Sequence, residues 1–151
     1  MGEEVHPLKK IVIKGRGVWG GVAEGPAMVS RDTIQGWSGL DDETGVVIEK
    51  GHPFEGMSIK GAVLVLSGGK GSNGWSSHFH VARLKGLAPA GLVFPKMDSR
   101  TGVAVVVTKV PAVTDLEEDP FEAIRTGDWI RIDGDRGVIE VARAEGTEQL
   151  P

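Results

Sequence analysis

The sequence predicts a single β-rich α/β domain, its mixed sheet curled towards a barrel, with one main helix and one short helix. Three observations carry this. The run Val63-Leu64-Val65-Leu66-Ser67, a glycine-rich turn, an amphipathic stretch from Ser76 to Lys85 and the run Ala90-Gly91-Leu92-Val93-Phe94 form a strand, helix, strand unit. So short a return makes it a βαβ unit, and at least part of the sheet is therefore parallel. Trp129-Ile130-Arg131-Ile132 and Val138-Ile139-Glu140-Val141 alternate around Asp133-Gly134-Asp135-Arg136-Gly137, which reads as a hairpin. The chain also has 23 glycines in 151 residues. That is roughly 15%, about twice the usual share, and they lie between apolar runs as turns in a strand-rich fold.

Taken in order, residues 1–10 read as a polar lead-in, 11–143 as the domain and 144–151 as a polar tail. Ile11-Val12-Ile13 is a β-branched strand closed by Gly15 and Gly17, and a second strand follows from Gly21-Val22 to Met28-Val29. Gly25-Pro26 inside it implies a bend or an edge position. Ser30 to Leu40, with Trp37 and Gly39, reads as a loop, Asp41 to Gly45 as a turn and Val46-Val47-Ile48 as a short strand. Gly86 is placed to cap the main helix in the left-handed conformation. Val103 to Thr108 and Ala112-Val113 read as further strands. Asp119-Pro120-Phe121-Glu122-Ala123-Ile124-Arg125 reads as the short helix, with Asp119 as N-cap, Pro120 at its first position and Gly127 beyond its end.

Composition excludes several functions. Seventeen basic residues against 21 acidic ones give a net charge of −4. Without a basic run, this argues against a nucleic-acid surface. No apolar run approaches the ~18 residues of a membrane span, and the N-terminus lacks the pattern of a signal peptide, so the expected location is the cytoplasm. With no cysteine, the chain can supply no thiolate to an iron–sulfur cluster or a structural zinc.

The candidate site is the turn Gly68-Gly69-Lys70-Gly71-Ser72-Asn73-Gly74-Trp75. A glycine-rich turn feeding a helix start leaves backbone N–H groups aimed at one small volume, where the helix dipole also favours negative charge. A serine there, Ser72, has its alkoxide stabilised and can act as a base or nucleophile. Gly69, Lys70, Gly71, Asn73 and Gly74 are the expected binding residues for a substrate anion. The same stretch also reads as an ordinary helix start capped by Ser76 or Ser77, and local sequence leaves both open.

Several pieces together resemble a known family. Gly17-Val18-Trp19-Gly20-Gly21-Val22-Ala23-Glu24-Gly25-Pro26-Ala27, Asp42-Glu43-Thr44-Gly45, His52-Pro53 with Gly56, and above all Gly69-Lys70-Gly71-Ser72 resemble, in order, the small subunit of aconitase X-type dehydratases. The resemblance runs from about Ile11 to Val141. It implies a swivelling β/β/α domain that closes over a large, cysteine-bearing subunit holding the iron–sulfur cluster. It also implies a lyase that removes water from a hydroxylated anionic substrate, such as a phosphorylated mevalonate or a hydroxyproline. In the wider aconitase superfamily the turn reads Gly-x-Gly-Ser-Ser-Arg and its first serine is the catalytic base, a role that falls on Ser72. Asn73 and Gly74 depart from that pattern, so the turn supplies no substrate-clamping arginine, and Lys70 is the candidate for its charge.

Ser76-Ser77-His78-Phe79-His80-Val81-Ala82-Arg83, with Gly86 and Pro89-Ala90, is similar to a second family, the phosphohistidine swivelling domain of phosphoenolpyruvate-using enzymes. There His78 would carry the phosphoryl group. A third reading is a non-enzymatic anion-binding module. Metal binding is not expected: His78 and His80 stand two apart on a helix and point in opposite directions. His52 reads as a turn residue or buried hydrogen-bond partner, Glu24 as a solvated or paired carboxylate, and Asp41 to Glu43 as a solvated turn. Asp98-Ser99-Arg100 follows a strand end, where loops of an α/β fold carry function.

Overall fold

The computed structural model describes residues 8–34, 39–41, 43–68 and 77–144. These residues form β1 (Leu8–Lys14), β2 (Arg16–Trp19), β3 (Val22–Ser30), β4 (Val63–Leu66), α1 (Ser77–Leu84), β5 (Gly91–Phe94), α2 (Ser99–Thr108), β6 (Ala112–Thr114), α3 (Pro120–Ala123), β7 (Trp129–Asp133) and β8 (Val138–Ala144). The strands follow the order β1-β8-β7-β3-β4-β5-β6-β2. β3 to β6 run parallel, and β1, β8, β7 and the first half of β3 run antiparallel. The result is a mixed half-barrel.

β3 serves both halves. Val22–Pro26 pair with β7, and Ala27–Ser30 pair with β4. The expected bend at Gly25-Pro26 falls where the partner changes, so the N–H that proline lacks is not needed by a continuous ladder. The strand is central, however, and the edge alternative does not hold. At the opposite side the sheet closes through Gly15, which separates β1 from β2 and donates its N–H to the Gly137 carbonyl at 2.8 Å. Gly15 ends β1 as expected, but the chain re-enters the sheet at once: Gly17 lies within β2, which pairs with β6. Gly17 is small for another reason: a β-carbon on it would lie 1.9 Å from the Gly134 carbonyl oxygen. The β2 backbone crosses the β7–β8 turn in contact.

Two cores follow from the alternation of side chains along the strands. Leu64, Leu66, Leu92, Phe94 and Ala112 point to one face and pack with Phe79 of α1, Ala104 and Val105 of α2, and Val47, Phe54 and Ile59 of the 39–62 segment. Val63, Val65, Val93 and Val113 point to the other and pack with Ile13, Ile130, Ile132, Ile139 and Val141 of the antiparallel layer. Burial of each such side chain contributes about 1.5–3 kcal/mol, which holds three layers together as β/β/α.

The helices differ from expectation at one place. Val103 to Thr108 is not a strand but the body of α2. Its valines are strand formers, yet Asp98 and Thr101 make a reciprocal capping box, and Thr101, Ala104, Val105 and Thr108 are buried at helical spacing. Packing of that stripe outweighs the few tenths of a kcal/mol per residue by which valine disfavours helix. The fold therefore has two substantial helices and the short α3. Gly86 caps α1 as expected: at φ +72°, it donates to the Arg83 carbonyl while Leu87 donates to the Ala82 carbonyl, a Schellman motif. α3 begins at Pro120, with the Asp119 carboxylate accepting from the Phe121 N–H. Val46 and Val47 make only isolated bridges, to Ser58 and Leu40. No described helix is long and apolar enough to cross a membrane.

Candidate functional site

The parallel strands place their carboxyl ends on one rim, with Ser30 of β3 beside Leu66 of β4 and Phe94 of β5 beside Thr114 of β6. In open α/β sheets ligands bind outside the carboxyl ends of the strands. Four connections leave from this rim, and the one between β4 and α1 carries the sequence-predicted site. Gly69, Lys70, Gly71, Ser72, Asn73 and Gly74 themselves lie outside the described residues, as do Trp37, Asp42 and the His78 side chain. What can be built is the frame around them.

Gly68, the last described residue before that turn, is buried against the start of α2. A β-carbon at Gly68 would stand 3.6 Å from Asp98 Oδ2 and 3.9 Å from Thr101 Cγ2. Asp98 Oδ1 accepts from the Thr101 N–H at 2.8 Å and from its hydroxyl at 3.1 Å, and the Asp98 N–H donates to Thr101 Oγ1 at 2.8 Å. The segment after β5 is thereby rigid where it meets the turn after β4.

The segment after β3 is pinned twice. Ser30 Oγ accepts from the Asp32 N–H at 3.0 Å. His52 is buried, its Nδ1 accepts from the Phe54 N–H at 3.0 Å and its Nε2 lies 2.8 Å from the Asp32 carbonyl oxygen. With Nδ1 spent as acceptor, Nε2 carries the hydrogen and donates, so the ring is the neutral tautomer. This is the buried hydrogen-bond partner that His52 was expected to be.

Charges on the rim are unequally engaged. Arg31 Nη2 lies 3.1 Å from Glu122 Oε1 and 3.5 Å from Asp119 Oδ2, and its guanidinium stacks 4.9 Å over the Phe121 ring. Arg16 pairs with Asp115 at 2.7 Å. Lys96 and Arg100 are exposed and make no ion pair with another described residue. Other candidates are elsewhere: Glu24 accepts from the Trp129 indole N–H at 2.8 Å on the outer face of the antiparallel layer, and Glu43 pairs with Lys85. The sequence reading missed the Asp98 and Thr101 capping box, although Asp-x-x-Thr before an apolar run was there to find.

Three layers with the parallel strands ending on one rim, beside a glycine-rich connection, define a β/β/α domain of the swivelling type. The chain belongs to the aconitase X swivel domain family, whose model matches residues 12–141. It is 42% identical over 130 residues to the phosphomevalonate dehydratase small subunit of Methanocella arvoryzae, covering 86% of this chain and 98% of the relative. It is 35% identical over 138 residues to the subunit of the same name from Methanosarcina acetivorans, covering 91% and 96%. Among solved structures it resembles the crystal structure of Thermococcus kodakaraensis aconitase X, with a TM-score of 0.79 and 30% identity over 87% of this chain and 98% of that one. It also resembles the solution structure of a UPF0107 protein, with a TM-score of 0.74 and 33% identity over the same shares. The fold and family expected from the sequence are both met.

Proposed function

We propose that this chain is the small subunit of an aconitase X-type hydro-lyase that dehydrates a phosphomevalonate-type substrate, a hydroxy acid bearing a phosphoryl group. The observation that carries the reading is similarity to phosphomevalonate dehydratase small subunits over nearly their whole length. The partner is a large, cysteine-bearing subunit.

In this reading Ser72 is the base. Its alkoxide, held by the N–H groups of Gly69 to Gly74, takes a proton from the carbon next to the substrate carboxylate. The electron pair of that C–H bond becomes the new double bond. The hydroxyl on the neighbouring carbon departs with its bonding pair and takes a proton from solvent to leave as water, while Ser72 returns the proton it took to solvent and its alkoxide is restored. Departure needs an electrophile, and this chain's donors do not fit an iron–sulfur cluster. It has no cysteine, and no three His, Asp or Glu side chains gather at metal-binding distance among the described residues. We assign the cluster to the large subunit. Asp98 and Thr101 lie beside Gly68 at the entry to the turn, and His52 and Ser30 fix the neighbouring connection.

The test is co-expression with the large subunit, size-exclusion, iron analysis and turnover of phosphomevalonate read by mass spectrometry. The complex is expected to be active and the isolated chain inactive. Turnover by the isolated 151-residue chain would overturn the partnership.

A further inference from the structure

Resting on that reading, we propose that Arg100, assisted by Lys96, binds the phosphoryl group of the substrate and so sets the preference for a phosphorylated hydroxy acid. A substrate with a phosphate and a carboxylate brings up to three negative charges to the rim. The glycine-rich turn has no arginine after Ser72, so the single charge of Lys70 leaves room for further cations of the rim.

The rim supplies four candidate cations among the described residues. Arg31 and Arg16 are neutralised, the first by Glu122 and Asp119 and the second by Asp115. Arg100 and Lys96 are exposed, pair with no other described residue and flank Asp98, whose carboxylate lies beside Gly68. The Asp98 carboxylate does not neutralise them. One of its oxygens holds the Thr101 N–H and hydroxyl, and neither cation is within ion-pair distance of it. The capping box also fixes the backbone that carries Arg100, so the guanidinium is presented from a rigid turn. A planar guanidinium meets two phosphate oxygens at once, which a lysine cannot do.

The experiment uses the two-subunit complex, with phosphomevalonate as substrate. Arg100→Ala should raise KM about 10–100-fold, the usual weight of charge-assisted hydrogen bonds, while kcat changes less than about threefold. Arg100→Lys should recover part of the loss. Rising salt should raise the wild-type KM more than that of Arg100→Ala, a response that loss of mere structural support would not produce. Lys109→Gln, at the far end of α2, should leave KM unchanged. Mevalonate without phosphate should be turned over poorly and to the same extent by wild type and Arg100→Ala. An active complex whose KM is indifferent to Arg100→Ala would overturn this inference alone. A wild-type complex that fails to dehydrate phosphomevalonate would overturn the functional reading and this inference with it.

Discussion

Removing the Asp128 carboxylate should be among the costliest single changes in the described structure. Asp128 closes the turn into β7, and Arg143 lies on β8; their side chains are only 6% and 14% exposed. Arg143 donates from Nε to Oδ1 at 2.9 Å and from Nη2 to Oδ2 at 2.6 Å, and Nη2 also reaches the Ala123 carbonyl at 3.2 Å. Asp128 Oδ2 additionally accepts the Arg125 N–H at 2.8 Å. The hydrogen bonds to Asp128 push the guanidinium pKa up, and without that partner Arg143 is still charged because a guanidinium does not lose its proton in proteins. In Asp128→Ala the buried cation keeps one carbonyl for its donors, and the Arg125 N–H loses its acceptor. Breaking a buried pair from one side costs about 3–5 kcal/mol. For a chain of this size each kcal/mol lowers Tm by about 2–4 °C, so a fall of about 6–20 °C is expected. Urea unfolding of wild type, Asp128→Ala, Arg143→Met and the double variant, followed by tryptophan fluorescence, measures both the loss and the coupling. The double variant should be less destabilised than the two singles combined by about 2 kcal/mol or more. A loss below about 1 kcal/mol, or no coupling, would show that the pair behaves as an exposed one and would refute the reasoning.

Gly134→Ala would put a β-carbon 1.8 Å from the Trp19 carbonyl oxygen, backbone against backbone. It should destabilise by about 3 kcal/mol or more, visible as lost soluble yield or a Tm lowered by about 6–12 °C. The Glu140 carboxyl is held below its usual range, first by its hydrogen bond from Arg131 and then by the charge of Lys10. Its contribution to stability is therefore present above the ordinary glutamate pKa and lost as pH falls through the lowered one; a carbon NMR titration should show the low value, and Arg131→Gln should move it up. In the complex with the large subunit, Ser72→Ala should lower kcat by about 10²–10⁴-fold with Tm unchanged, the range for loss of a positioned base. Gly71→Val should weaken substrate binding while Gly146→Val does not, and equal effects would make the turn merely structural.

The sequence disclosed the fold wherever the local signal agreed with the packing. The βαβ unit, the β7–β8 hairpin, the Gly86 cap and the Asp119-Pro120 helix start could each be read because the turn residues and the apolar period pointed the same way. Val103 to Thr108 was misread because side-chain preference was weighed without the cap that precedes it. Gly15 does end β1, but Gly17 lies inside β2, and the closeness of both glycines to other strands could not be read. A glycine required by a neighbour distant in sequence, here Gly134 or Thr114, looks identical to one required by its own dihedral angles. The candidate turn stands out by composition, from Gly69 to Ser72. Its surroundings do not, because the approach of Asp98 to Gly68 and the pinning of Asp32 by His52 join residues 30 and 20 apart.

The passage of chain through Gly15 bears on how this domain resists entanglement with its own copies. β1 and β2 form the two outer strands of the sheet order, yet a single residue separates them, so their ladders to β8 and β6 open or hold together. Exchange of this segment between two molecules would require all seven β1 register pairs and the β2 pairs to part in one event. Such an exchange breaks two ladders at once, a higher barrier than the release of one edge strand. The open side of β1 is guarded as well, since Lys9, Lys10 and Lys14 set like charges along any second strand that approaches it.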